Sequence, residues 1–191
     1  MYVCDIQLKV ISHFKTTMEQ QFKTEEILKT KEFTDFYESA VDFCDFIENY
    51  SSKDKIEFLK ATRIHLLKLY DNALKFQWVD LQSNIEYDDK LDSDKFDKTL
   101  IYISDRLSDA RYYWHVFDPT NEKDTEPVRG DLVDDLGDIY QDLKFSVMTF
   151  NFDKQDCQEN ALWQFKFDFD KHWDDHCINA LSAIHFYLQN D

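Results

Sequence analysis

Glycine and proline are scarce in this chain: of 191 residues, two are glycine and two are proline. Three of these four residues fall within one short stretch, DPTNEKDTEPVRG, at Pro119, Pro127 and Gly130. A many-stranded sheet needs turn residues at short intervals, and the rest of the chain lacks them. The shortage therefore favours an all-α fold, which we predict to be an irregular up-and-down bundle of five or six helices.

Basic residues are also few. The chain has 22 Lys and Arg against 39 Asp and Glu, a formal net charge of -17. The electrostatic field of such a negative charge repels the phosphate backbones of nucleic acids. No cluster of Lys and Arg is present in the sequence to neutralise several phosphates. We therefore expect no nucleic-acid partner, whereas a basic protein partner is compatible with the charge.

Long apolar runs and regular cysteine spacings are absent as well. No stretch of about 18 apolar residues occurs, and the first residues, MYVCDIQLKVISHFK, do not form an export signal. The four cysteines (Cys4, Cys44, Cys157 and Cys177) form neither a C-x-x-C pair nor the spacing of a disulfide framework. These absences predict a cytoplasmic protein without a membrane segment.

Apolar residues recur at three and four positions along most of the chain, which is the period of a helix packed on one side. The alternating stretch WQFKFDFD resembles a strand, but an isolated strand would have no partner, so we interpret it as helical. Residues 1–30 are predicted to be an N-terminal arm or extra helix and residues 31–190 the bundle, within a single domain spanning 1–191. The predicted helices are about 33–50, 53–76, 93–115, 131–150, and one bent or two short helices over 156–188.

The second of these helices has a broad apolar face, which suggests burial in a bundle. The apolar residues predicted to be buried there are Ile56, Leu59, Ile64, Leu66, Leu67, Tyr70 and Leu74.

Aspartates are concentrated in one segment, DLVDDLGDIYQDLK, from Asp131 to Lys144. On a helical wheel Asp131, Asp135, Asp138 and Asp142 form one stripe, with Asp134 close by. A helix N-terminus stabilises acids in its first turn, but that benefit has faded by Asp138 and Asp142. A solvated or salt-bridged face, a cation site and a face for a basic protein partner all remain possible. The core face is predicted to be Leu132, Val133, Leu136, Ile139, Tyr140, Leu143, Val147 and Phe150.

Two histidines near the C-terminus lie one helical turn apart, at His172 and His176, with Asp168 one turn earlier. This spacing presents three ligands along one face, as in helices that hold zinc, manganese or iron. His176 shares an apolar stripe with Trp173, so the ring should point inward, where it needs a partner. The alternative to a metal is a hydrogen bond to an acid of the neighbouring helix, such as Asp135 or Asp138.

Three stretches together resemble a known family: YWHVFDP (113–119), DLVDDLGDIYQDLK (131–144) and HWDDHCINALSAIH (172–185). They are similar to an uncharacterised bacterial family, a domain of unknown function with VFDP, DDLxDIYxDLK and HWxxH motifs. The resemblance extends over about residues 33–188 and implies a small, soluble helical protein whose activity is not established. One departure is that Asp174 and Asp175 stand where the family pattern leads us to expect a glycine.

Two functions are compatible with these features. The first is a binding or adaptor module without catalysis, which would meet a protein partner through an acidic face. The second is a metal-dependent hydrolase or related metalloprotein with one divalent ion (Zn, Mn, Fe or Mg) and a bound water as nucleophile. They differ in whether the aspartates and histidines share one cavity. The acidic face for a protein partner would comprise Asp131, Asp134, Asp142, Asp118 and Trp173. The metal ligands would come from His172, His176, Asp168, Asp135 and Asp138.

Overall fold

A computed structural model describes residues 23–77, 81, 92–116, 118–123, 125–152 and 154–190. Its helices confirm the predicted all-α class. Residues 23–28 of the predicted N-terminal arm are also helical, whereas residues 1–22 of that arm lie outside the described residues. The helices are α1 (Lys31–Asn49), α2 (Lys55–Lys75), α3 (Ser93–Leu107), α4 (Leu132–Phe150), α5 (Gln155–Asp168) and α6 (Asp174–Asn190).

Helix α4 lies at the centre of the bundle and packs against α1, α3, α5 and α6. Its predicted apolar face is buried from Leu132 to Val147, and Phe150 is half-buried. Aromatic rings fill the space beside it: Phe36 stacks on Phe76 at 5.1 Å between ring centroids and meets Phe165 edge-on at 5.2 Å. This central helix also carries four aspartates, Asp134, Asp135, Asp138 and Asp142.

The third helix is shorter than predicted. It ends at Leu107 rather than near His115, because Ser108 has a positive φ of 49°, and a 3-10 turn (Ser108–Ala110) follows. The chain then forms strand β1 (Tyr112–His115), which pairs antiparallel with β2 (Val128–Asp131). The partner strand lies beyond the proline-containing loop, so the local pattern of residues 112–115 did not reveal it.

The predicted burial of the second helix is only partly correct. Leu59 and Leu66 are fully buried, but Ile64, Leu67 and Leu74 are exposed by 66%, 54% and 60%. Apolar residues extend around more of the circumference of α2 than its neighbours α1, α3 and α6 can cover. Periodicity alone could not distinguish the covered side from the uncovered one.

The C-terminal region is helical from Gln155 to Asn190, with a five-residue π-helical segment, Phe169–Trp173, between α5 and α6. The amide of Asp174 donates to the carbonyl of Phe169, five residues back, which widens the turn. The alternating stretch WQFKFDFD is helical, as predicted. The wider turn matters because it contains His172.

We predict that Phe36→Ala lowers the free energy of unfolding by about 3–5 kcal/mol, since the ring is fully buried and its loss leaves a cavity. Urea denaturation followed by circular dichroism measures this change. Ile64→Ala is the matched control and should change stability by less than about 0.5 kcal/mol. Equal losses in the two variants would contradict the packing described for α1 and α2.

Candidate metal centre

Three potential ligands converge between α4 and the C-terminal helical region. One ligand atom each from Asp138, His172 and His176 lies within 4.8 Å of the other two. The Nε2 atom of His176 is 3.4 Å from Asp138 Oδ2, and the Nε2 atom of His172 is 4.0 Å from the same oxygen. Ligand atoms of a tetrahedral zinc site lie about 3.3 Å apart, so small side-chain rotations would bring the three groups to bonding positions.

The Nδ1 atom of each histidine contacts another aspartate of α4. His172 Nδ1 lies 2.7 Å from Asp142 Oδ2, and His176 Nδ1 lies 2.9 Å from Asp135 Oδ1. An ionised carboxylate accepts a hydrogen bond, so these contacts favour the tautomer with the proton on Nδ1 and the lone pair on Nε2. Both lone pairs then face Asp138.

The spacing on both helices explains this convergence. Asp135, Asp138 and Asp142 are three and four residues apart, so they lie on one face of α4. His172 belongs to the π-helical turn and His176 to the first turn of α6, and their ring centroids are 5.0 Å apart with planes at 78°. The aspartate stripe and the histidine pair therefore meet, as the metalloprotein hypothesis requires.

The hairpin reinforces the support of His176. The hydroxyl of Tyr113 donates to Asp135 Oδ2 at 2.7 Å, so this buried carboxylate receives hydrogen bonds at both oxygens. Gly130 pairs with Tyr113 across the strands, and a Cβ there would lie 2.2 Å from Tyr113 Cζ. A side chain at position 130 would displace the tyrosine ring. Sequence reasoning missed Tyr113, although the rarity of glycine was a signal for Gly130.

The first-turn aspartates have other surroundings. Asp131 caps α4 by accepting from the amide of Val133, and it forms a two-oxygen ion pair with Arg111. Asp134 is exposed at the surface. Of the five aspartates in the segment Asp131–Lys144, four therefore bond to side chains or lie in the histidine cluster.

Burial and charge shift the titration of the cluster in opposite directions. The hydrogen bond that His176 donates to Asp135 raises the pKa of this histidine more than burial lowers it. Burial raises the pKa of Asp138 and of Asp142, although the nearby histidines oppose the rise. A positive charge between the carboxylates, whether a protonated imidazole or a bound cation, would therefore stabilise the cluster.

Asp168, predicted as a ligand one turn before His172, is not part of the trio. Its carboxylate is buried and accepts from the amide of Gln164 at 2.6 Å, on the wall of a groove beside the cluster. Burial, followed by the charge of Asp142, raises the pKa of Asp168 to about 7. The π-helical turn between the two residues breaks the regular register on which the prediction rested.

The remaining predicted residues lie apart from the cluster. Asp118 accepts hydrogen bonds from the amide and hydroxyl of Thr120, at 2.9 and 2.7 Å, and these bonds lower its pKa. Trp173 is fully buried against Phe169 and belongs to the core. Cys177 follows His176, but burial raises the pKa of its thiol to about 12, which opposes formation of a nucleophilic thiolate.

The chain belongs to the family described as domain of unknown function DUF5063, whose model matches residues 28–190. This confirms the resemblance seen in the three motifs. The fold is similar to that of the crystal structure of protein BF1032 from Bacteroides fragilis, at 21% identity and a TM-score of 0.72. The similarity covers 84% of this chain and 97% of that one. A comparison with curated proteins finds no match. Among the described helices, none has the length and hydropathy to cross a membrane.

We predict that Asp168→Asn stabilises the protein above pH 7. The folded state raises this pKa from 3.8 to about 7, so the native carboxyl binds its proton more tightly than the unfolded one. Stability is therefore lost as pH rises from about 4 to 7 and stays lower beyond that window. The variant should gain about 1–3 kcal/mol at pH 8, because asparagine keeps a carbonyl for Gln164 without the buried charge.

Urea denaturation at pH 5 and pH 8 measures this effect, and the gain should shrink at the lower pH. Asp97→Asn is the control, since it removes an exposed acid from α3 and should leave stability within about 0.5 kcal/mol. A loss of stability in Asp168→Asn at pH 8 would contradict the assignment of a costly buried charge.

Proposed function

We propose that the protein is a mononuclear metalloprotein that holds one divalent transition-metal ion through Asp138, His172 and His176. One observation supports this most directly: both Nδ1 atoms contact separate aspartates, while both Nε2 atoms face a third. Histidine ligands in metal sites usually donate their other N–H to a carboxylate or carbonyl, which sets the tautomer and orients the ring. Two such histidines around one carboxylate form a ligand set suited to zinc, iron or manganese.

The support behind the ligands favours this proposal over a purely structural cluster. Asp135 is 5% exposed and receives hydrogen bonds from Tyr113 and His176, so the orientation of that imidazole is well determined. His172, by contrast, has a side chain that is 48% exposed. His172 is therefore accessible to a metal ion and to water.

Three protein ligands would leave at least one coordination position of a divalent ion for water. An ion held in this way would lower the pKa of that water toward 7. This is the chemistry that metal-dependent hydrolases use. In this chain, Asp135 and Asp142 would hold the two imidazoles in their ligand tautomers. The described residues that line the neighbouring groove contain aromatic, amide and acidic side chains. The position left for water on the ion is what supports hydrolysis as the reaction class.

The earlier hypothesis of an adaptor with an acidic face receives less support. Asp134 is well exposed, but Asp131, Asp135 and Asp142 are engaged by Arg111, His176 and His172. Trp173 is buried and does not present a ring to a partner. A protein partner therefore stays a prediction without a specific contact surface.

We expect about one transition-metal ion per chain in tag-free protein, and its loss in the double variant His172→Ala/His176→Ala. Removing both imidazoles leaves Asp138 as a single carboxylate ligand, which is too weak to hold a transition metal through purification. Inductively coupled plasma mass spectrometry on gel-filtered protein measures the content.

His185→Ala is the matched control, because His185 is an exposed histidine on the same helix, α6, and should keep the full metal content. Circular dichroism of the double variant establishes that metal loss does not follow from unfolding. Wild-type protein without bound transition metal after incubation with zinc, manganese or ferrous ion would refute the proposal.

A further inference from the structure

A groove beside the cluster is not explained by metal binding. It has a volume of about 490 Å³, within the usual range for sites that take small molecules. It lies between the start of α3, the middle of α4 and the end of α5. The aromatic rings of Phe96 and Phe145 form its apolar part, and Gln141 and Gln164 contribute carboxamides.

The charged groups in the groove are both acids, Asp142 and Asp168. None of the described residues that line it is a lysine, arginine or histidine. Asp142 has a side-chain partner in the imidazole of His172, at 2.7 Å, whereas the hydrogen-bond partner of Asp168 is the neutral amide of Gln164. The groove therefore contains a carboxylate that is 9% exposed and whose described hydrogen-bond partner is a neutral amide.

A buried acid of this kind is costly for the fold. Burial and the charge of Asp142 oppose ionisation of Asp168, and its raised pKa agrees with that environment. A structural role would be filled better by asparagine, which makes the same hydrogen bond without the charge. An acid that destabilises its own fold and lines an open groove is better explained by a ligand that neutralises it.

We propose that this groove binds a small organic amine, cationic at neutral pH and bearing an aromatic group, with its ammonium at Asp168 and its ring between Phe96 and Phe145. The ammonium would supply the missing positive charge, and a cation beside aromatic faces gains further attraction. The two carboxamides accept hydrogen bonds from the remaining N–H groups. Anions are excluded by the two acids.

This proposal goes beyond the metal centre and does not depend on it. Asp138 and His176 do not line the groove, so amine binding is expected with or without a chelator present. Asp142 is common to both places, because it lines the groove and contacts His172. Failure of either proposal therefore leaves the other testable by its own measurement.

Isothermal titration calorimetry at pH 8 tests the proposal on the full chain, with and without EDTA. The probe is 2-phenylethylammonium, compared with its neutral analogue 2-phenylethanol and the anion 3-phenylpropanoate. We expect the ammonium to bind at least about tenfold more tightly than the alcohol, and the anion to show no binding. Asp168→Asn should lose at least about tenfold in affinity for the ammonium, whereas Asp97→Asn should stay within about twofold.

Several results would overturn the proposal. One is the absence of heat from the ammonium up to millimolar concentration; another is equal affinity for the alcohol and the ammonium. Unchanged affinity in Asp168→Asn would place the amine elsewhere. A last arm uses Nα-acetyl-lysine methylamide, an ammonium without a ring: binding as tight as that of the aromatic amine would identify a lysine side chain of a protein, rather than a small amine, as the occupant.

Discussion

The burial of an acid-rich helix at the centre of the bundle is the constraint on which the rest of the structure depends. Helix α4 packs against four other helices, so Asp135 is almost fully buried and Asp138 and Asp142 are partly buried. A carboxylate taken out of water needs hydrogen-bond donors or positive charge. The surrounding elements supply them: the hairpin contributes Tyr113, and the C-terminal helical region contributes His172 and His176.

The same constraint distinguishes aspartates with a structural role from aspartates that could bind a ligand. The carboxylate of Asp131 is neutralised by a two-oxygen contact with Arg111 and accepts the capping hydrogen bond from α4, so it has a complete set of partners. At Asp138 and Asp168 the described side chains do not complete the environment, and burial raises both pKa values. Groups that cost stability in this way are typical of functional sites, where affinity for a ligand offsets the cost. The two proposals assign a metal to the first and an organic cation to the second.

Much of this architecture was predictable because helical periodicity is local. The buried face of α4, the helical character of WQFKFDFD and the family membership follow from residues close together in the chain. The hairpin was not predictable in the same way, because β1 and β2 are short and lie on opposite sides of a long loop. Exposure of Ile64 and Leu67 depends on which neighbours reach α2, which a single helix does not reveal.

The candidate site was partly predictable for the same reason. Spacing placed His172 and His176 on one face and aligned the aspartates, and these groups do meet. Spacing could not assign roles to the aspartates. Asp135 and Asp142 contact the Nδ1 atoms and Asp138 lies near the Nε2 atoms, and this depends on how α4 packs against the C-terminal helical region. The π-helical segment also removed Asp168 from the cluster, and local patterns rarely reveal such a turn.

The coordination sphere of a bound ion is the most direct test of the account. X-ray absorption spectroscopy at the zinc edge, on zinc-loaded and gel-filtered protein, resolves the type and distance of the ligands. We expect two imidazole nitrogens with oxygen ligands, all at about 2.0–2.2 Å. A sulfur shell near 2.3 Å, or a shell of oxygens without imidazole scattering, would contradict the assignment of His172 and His176 as ligands.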